Sequence, residues 1–102
     1  MAAEFYIEFE DNDWLKNNKK SLEAFISKMK IFVEIKENEY RLKQSNSKNY
    51  DVRLLINNDT SILMEINYHP KTIEDELEKL FSWMREKVNI LIKDEDGELS
   101  NW

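Results

Sequence analysis

The sequence predicts a two-layer α+β sandwich, in which two helices cover one face of a mainly antiparallel sheet of about six strands. Several short runs alternate apolar and polar residues, which is typical of strands with one buried face. Two other segments carry apolar residues at helical spacing, so each can bury one stripe against the sheet. The chain has 102 residues, with one Gly, one Pro and no linker-like segment. This length and composition predict a single domain over residues 1–102.

The first two predicted elements are a strand and a helix. Residues 4–10 form the strand, since an apolar Phe or Ile occupies every second position. An acidic loop follows, and we expect the helix to begin near Asn17 or Asn18, because an asparagine side chain can cap the free amides of the first turn. The helix then presents an apolar stripe formed by Leu22, Phe25, Ile26 and Met29.

The middle of the chain predicts four further strands, at residues 31–36, 40–43, 50–56 and 62–68. Residues 37–38 and 57–59 are rich in Asn and Asp, which favour tight turns by bonding their own main chain. The Ser- and Asn-rich segment 44–49 predicts a loop. Because these connections are short, we expect consecutive strands to form an antiparallel meander.

A second helix and a last strand complete the predicted order β-α-β-β-β-β-α-β. The helix follows Pro70, where Thr72 and Asp75 resemble a capping box. Residues 89–93 predict the last strand, and residues 94–102 an acidic turn or tail. The apolar stripe of the helix covers four turns and consists of Ile73, Leu77, Leu80, Phe81, Met84 and Val88.

Acidic residues are concentrated at both ends of the chain. Residues 1–13 contain five carboxylates and residues 94–102 contain four, and neither segment has a Lys or Arg. If the first and last strands pair in parallel, the two clusters meet at one edge of the sheet. Such an edge predicts a docking surface for a basic protein partner. The competing interpretation is that the net charge of −6 only keeps a small domain soluble.

Nine residues are the candidates for contact with that partner. Acidic side chains dominate the set, and the aromatic members are of types found at protein interfaces. For Trp14 the competing interpretation is that its ring covers the end of the core, and for Trp102, which is outside the set, a frayed tail is expected. The candidates are Asp11, Asp13, Trp14, Tyr40, Tyr50, Asp51, Asp94, Asp96 and Glu98.

Several functional classes are disfavoured by composition. A net charge of −6 repels phosphate backbones and anionic lipid surfaces, so direct binding of nucleic acid or membrane is not expected. The chain has no Cys, no secretory signal and no apolar run that could span a membrane, so we expect a cytoplasmic protein. His69, the single histidine, is expected to be an exposed turn residue. No nucleophile motif or glycine-rich phosphate loop is present, so we expect neither catalysis nor a cofactor.

A metal site remains as an alternative. The pairs Asp11/Asp13 and Asp94/Asp96 are each spaced i, i+2, which lets both carboxylates of an extended pair face the same way. Together with Glu10 and Glu98 they offer oxygen ligands of the kind that Mg²⁺ and Ca²⁺ prefer. On this interpretation the chain is a small metal-dependent enzyme.

The acidic segments 8–14 and 94–99, with the scarcity of Gly and Pro, carry a family resemblance. The chain resembles small acidic bacterial immunity proteins of contact-dependent growth inhibition and other polymorphic toxin systems. The resemblance implies an antitoxin that binds a cognate toxin, often a C-terminal nuclease domain, in the cytoplasm and blocks its active site or substrate channel. We expect the chain to be a monomer or a weak dimer. The same electrostatics would also suit a nucleic-acid-mimicking inhibitor of the anti-restriction or anti-CRISPR type.

Overall fold

A computed structural model describes residues 3–30, 32–43 and 50–102, and it confirms the predicted α+β class and order of elements. The predicted loop 44–49 lies outside the described residues. The helices are α1 (Trp14–Ser27) and α2 (Lys71–Arg85). The strands are β1 (Ala3–Phe9), β2 (Phe32–Lys36), β3 (Glu39–Leu42), β4 (Val52–Asn57), β5 (Ser61–Ile66) and β6 (Ile90–Lys93).

The six strands form one sheet in the order β2-β3-β4-β5-β1-β6, and every neighbouring pair is antiparallel. The predicted meander is therefore confirmed for β2 to β5. Its tight turns place Asn38, Asn58 and Asp59 in the left-handed region, with φ of 61°, 50° and 57°. Asn and Asp tolerate that region better than other residues with a side chain, which explains why these turns form without glycine.

The expected parallel pairing of the first and last strands is wrong. β1 and β6 are antiparallel, with Ile7 opposite Ile92. The cause is the path of the chain through α2. β5 runs antiparallel to β1 and so ends where β1 begins. The 15 residues of α2 carry the chain about 22 Å back to the other end of the sheet, and β6 starts there.

The helices also begin at different residues than expected. α1 begins at Trp14, ahead of the predicted caps, and Asn18 Nδ2 donates to the Trp14 carbonyl at 2.8 Å inside the helix. The reason is a turn centred on Asp11, which accepts the amide of Asp13 on its carboxylate at 2.9 Å and that of Trp14 on its carbonyl at 3.1 Å. This turn leads the chain directly into the helix.

The second helix lacks the predicted capping box. Its N-cap is Pro70, and no side chain hydrogen-bonds to the cap. The helix ends at Arg85, so Val88 lies beyond it, although Val88 still packs half-buried against the core.

The core lies between the two helices and one face of the sheet. Strand residues at alternate positions are buried on that face, among them Ile7, Leu54 and Met64. Both helices bury their predicted stripes against them, through residues such as Leu22 and Leu77. Among the described residues no helix covers the other face of the sheet, and we call it the open face. The two-layer arrangement therefore leaves the ends of the sheet and the open face available for contacts.

Candidate docking surface

The antiparallel pairing of β1 and β6 places the two acidic clusters at opposite ends of the sheet. Asp11 and Asp13 follow the end of β1, whereas Asp94 follows the end of β6, beside the start of β1. The length of β1 separates them by about 20 Å. The prediction of one merged acidic edge is therefore wrong. The two Asp pairs also lie too far apart to share a metal ion, so the proposed metal-dependent enzyme loses its four-aspartate site.

A tight turn over residues 94–98 forms the acidic surface beside the start of β1. Asp94 holds the turn: its carboxylate accepts the backbone amides of Asp96 at 2.9 Å and Glu98 at 3.0 Å. Gly97 has a φ of +82°, a conformation that favours glycine. The side chains of Asp96 and Glu98 are exposed. Of the three predicted acids in this turn, Asp94 therefore has a structural role and the other two face the solvent.

Two further segments bring carboxylates to the same end. The backbone amide of Glu4 donates to Glu95 Oε1 at 3.1 Å, which ties the turn to β1. An open groove of about 470 Å³ brings Glu74 and Glu78 of α2 together with Asp94. We call this surface the acidic end and define it as Glu4, Glu74, Glu78, Asp94, Glu95, Asp96 and Glu98.

Apolar side chains lie in the centre of the acidic end. Phe5, Leu99 and Trp102 line the same groove as its carboxylates, and Leu99 is 67% exposed. The Trp102 ring meets Phe5 edge-on with centroids 6.2 Å apart and Phe81 at 6.0 Å. An apolar centre bordered by charge is the usual arrangement of a protein interface.

The expected frayed tail at Trp102 is also wrong. Besides its ring contacts, Trp102 offers its carbonyl to Arg85 Nη2 at 2.7 Å, and Ser100 N donates to the Ile92 carbonyl at 2.9 Å. Residues 99–102 thus run back along the edge of β6. Large apolar area explains why the tryptophan ring folds onto the core.

Three of the predicted contact residues are buried and do not face a partner. Trp14 is 7% exposed and stacks on Phe9 with centroids 5.2 Å apart, as the competing interpretation of this residue has it. Tyr40 and Asp51 are fully buried. The inclusion of these three residues in the docking surface is therefore wrong. For Tyr40 the cause is the alternation of side chains along β3, which points this residue towards the helices and not towards the open face.

The hydroxyl of Tyr40 reaches α1, where it donates to Glu23 Oε1 at 3.3 Å. Burial raises the pKa of Tyr40 well above its ordinary value, and the neighbouring Glu23 carboxylate raises it further. Tyr40 therefore stays protonated and links α1 to the sheet.

Tyr50 is half-buried and contacts the open face of the sheet. The guanidinium groups of Arg41 and Arg53 lie 5.5 Å and 5.3 Å from its ring centroid. Arg53 also pairs with Glu65 and lies 3.7 Å from Glu39, and its hydrogen bond to Glu65 raises its pKa. The positive and negative charges of this cluster are equal in number. Tyr50 therefore belongs to a structural network on the open face and is not part of the acidic end.

The opposite end of the sheet has mixed charge. Asp11 and Asp13 are exposed there, as predicted. The groove beside them is lined by Glu10 and Asp11 but also by Arg85 and Lys87. We call this surface the far end. Its cations weaken the negative potential that a basic partner would meet.

His69 is 55% exposed over its side chain, which confirms the prediction of an exposed turn residue. Its Nδ1 lies 2.8 Å from Glu74 Oε1, and its ring meets Trp102 edge-on at 6.4 Å. His69 thus positions one carboxylate of the acidic end.

Other kinds of site find little support in the described ranges. Within residues 3–30, 32–43 and 50–102, no group of three or more His, Asp or Glu side chains is arranged to hold a metal ion. Neither helix in this part of the chain is long and apolar enough to cross a membrane. Comparison with known protein families, with curated proteins and with solved structures gives no match.

The nine candidates from the sequence omit four members of the acidic end, namely Glu4, Glu74, Glu78 and Glu95. The signal was present: Glu74 and Glu78 are spaced i, i+4 on α2, so they share a helix face. Whether that helix face lies beside residues 94–98 depends on the direction of β6. That direction is set by the path of the whole chain and not by local sequence.

Proposed function

We propose that the chain is an immunity protein that binds and neutralises a basic bacterial toxin domain, a nuclease domain, through the acidic end. The observation that carries the proposal is the convergence of carboxylates from three separate segments around exposed Leu99 and half-buried Trp102. A nuclease domain binds phosphates and so presents the complementary positive surface.

Electrostatics supports rapid capture of such a partner. Complementary charge raises association rates from about 10⁵–10⁶ M⁻¹s⁻¹ up to about 10⁸–10⁹ M⁻¹s⁻¹ at low salt. The apolar centre would then supply the contacts that slow dissociation, since desolvated aromatic and aliphatic side chains dominate binding energy in interfaces. An antitoxin in a cell that makes a lethal enzyme needs both properties.

The proposal has no catalytic step and no cofactor. The chain acts in the cytoplasm as a monomer or weak dimer, where it occupies the active site or substrate channel of the toxin. Direct binding of nucleic acid or membrane is not part of this function, because the acidic surface repels both.

The proposal predicts that a large secreted protein with a toxic C-terminal domain is encoded beside this chain, and the test uses that domain. Co-expression should restore growth of cells that the domain alone kills, and the two proteins should co-purify. Loss of both effects at physiological salt, with the chain shown to be folded, would contradict the proposal.

A further inference from the structure

Apolar side chains form a row on the open face of the sheet. Tyr6, Leu63 and Leu55 are direct cross-strand neighbours on β1, β5 and β4, so their side chains point to the same face. Tyr6 is 37% exposed, and the two leucines are half-buried. Leu91 of β6 lies diagonally from Tyr6 and is 49% exposed. Apolar area thus extends over four neighbouring strands, which indicates a contact surface.

The charged side chains around this row balance one another. Lys93 pairs with Glu8 at 3.0 Å, and Arg53 pairs with Glu65. Because these charges are paired within the chain, covering the face does not leave them isolated. The described side chains of the open face comprise four carboxylates and four cations, namely Glu4, Glu8, Glu39, Glu65, Lys36, Arg41, Arg53 and Lys93. Two copies of the chain can therefore meet at this face without the repulsion that a net charge of −6 causes elsewhere.

The order of the charges across the sheet is complementary to itself. One row runs over β1, β5, β4 and β3 and consists of Glu4, Glu65, Arg53 and Arg41. One half of this row is acidic and the other half is basic. A half-turn about an axis parallel to the strands, between β5 and β4, reverses the order in a facing copy, so that each acidic half lies on a basic half. The same half-turn places Leu63 of one copy on Leu55 of the other. Such a reciprocal match is the property of a two-fold interface.

We infer that the open face binds the open face of a second copy of this chain and forms a two-fold dimer. Six strands about 4.8 Å apart and up to seven residues long give a face of about 24 by 20 Å, or about 500 Å² per copy. This area is below the roughly 800 Å² per partner of a standard interface, so the dimer is weak. Both acidic ends lie at the same end of the pair, and their mutual repulsion also opposes association. The contact leaves both acidic ends uncovered, and the inference does not rest on the proposed function.

Sedimentation velocity of the full chain tests the dimer directly. Between about 10 µM and about 1 mM at physiological salt, the sedimenting mass should rise from that of one chain towards that of two, because a weak dimer fills by mass action. Tyr6→Lys places a charge in the apolar row of both copies and should weaken association by about tenfold or more. Ala24→Lys is the matched control, since it changes the net charge equally at an exposed position of α1 on the other layer. It should leave association unchanged.

A charge exchange tests the orientation of the two copies. Glu4→Arg lowers the net charge from −6 to −4, which reduces the general repulsion, yet it places arginine on Arg41 of the facing copy. Association should weaken at least about twofold at physiological salt, where the Debye length of about 8 Å screens the general repulsion more than the facing pairs. Adding Arg41→Glu restores an opposite pair and should restore association.

Three results would overturn the inference. They are a chain that stays monomeric over the whole concentration range, a dimer that Tyr6→Lys leaves unaltered in a variant shown to be folded by circular dichroism, and stronger association in Glu4→Arg. Because no toxin is present in these measurements, each result leaves the proposed function standing. Failed neutralisation of the toxin by a chain that dimerises refutes only the proposed function.

Discussion

Two double charge reversals distinguish the location of negative charge from its total. Asp96→Lys with Glu98→Lys alters the acidic end, and Asp13→Lys with Glu86→Lys alters the far end. Each double variant changes the formal net charge by four units, from −6 to −2. None of the four side chains makes an ion pair in the described part of the chain, so both variants should fold.

The expected magnitude follows from Coulomb's law. A carboxylate about 10 Å from one partner cation contributes about 0.4 kcal/mol in water, and reversing two such charges costs about 1.7 kcal/mol before screening. With Debye lengths of about 30 Å at 0.01 M and 8 Å at 0.15 M, the cost falls to about 1.2 and 0.5 kcal/mol. Association of the acidic-end variant should therefore slow roughly eightfold at low salt and about twofold at physiological salt.

Stopped-flow mixing of each variant with a fluorescently labelled toxin domain measures the association rate at both ionic strengths. The far-end variant should slow much less, since its charges lie about 20 Å from the docking surface. Equal slowing by both variants would refute the assignment of the surface. Unchanged rates in both would refute electrostatic steering itself.

Three further predictions concern stability, each measured by urea denaturation. Trp102→Ala should lower the free energy of unfolding by about 2 kcal/mol, because the contact of the half-buried ring with Phe81 is removed. An unchanged free energy of unfolding would mean that the tail is not packed on the core. Tyr40→Phe should cost about 1 kcal/mol at pH 7 through the lost bond to Glu23. Because the folded pKa of Tyr40 is raised, its contribution persists below pH 10 and is lost as the pH rises further, so the phenylalanine variant should show a weaker alkaline decline; identical pH profiles would contradict this. Asp94→Ala should cost about 1–2 kcal/mol and speed amide exchange at residues 96 and 98, whereas unaltered exchange would exclude Asp94 as the organiser of the turn.

The sequence contained enough information for the elements and the buried faces. Alternation in β4 and β5 identifies the residues that face the helices, because the period of two is a direct consequence of strand geometry. The stripe from Ile73 to Met84 identifies α2 in the same way. Short polar turns then leave an antiparallel meander as the simplest arrangement.

Local periodicity could not predict the direction of β6 or the set of residues that form the acidic end. Local periodicity gives no information on which end of the sheet α2 reaches, yet that decides whether Asp94 joins Asp11 or Glu4. Tyr40 and Trp14 were misplaced for a related reason. Their side chains combine apolar area with a polar atom, so composition permits either surface, and only packing against Glu23 or Phe9 decides.

Hydrogen exchange of the chain in complex with the toxin domain tests the central claim most directly. The account predicts slowed exchange at residues 94–99 and in the first half of α2, with residues 10–14 of the far end unchanged. Slowed exchange confined to residues 10–14 or to the open face, with the acidic end unaffected, would contradict it.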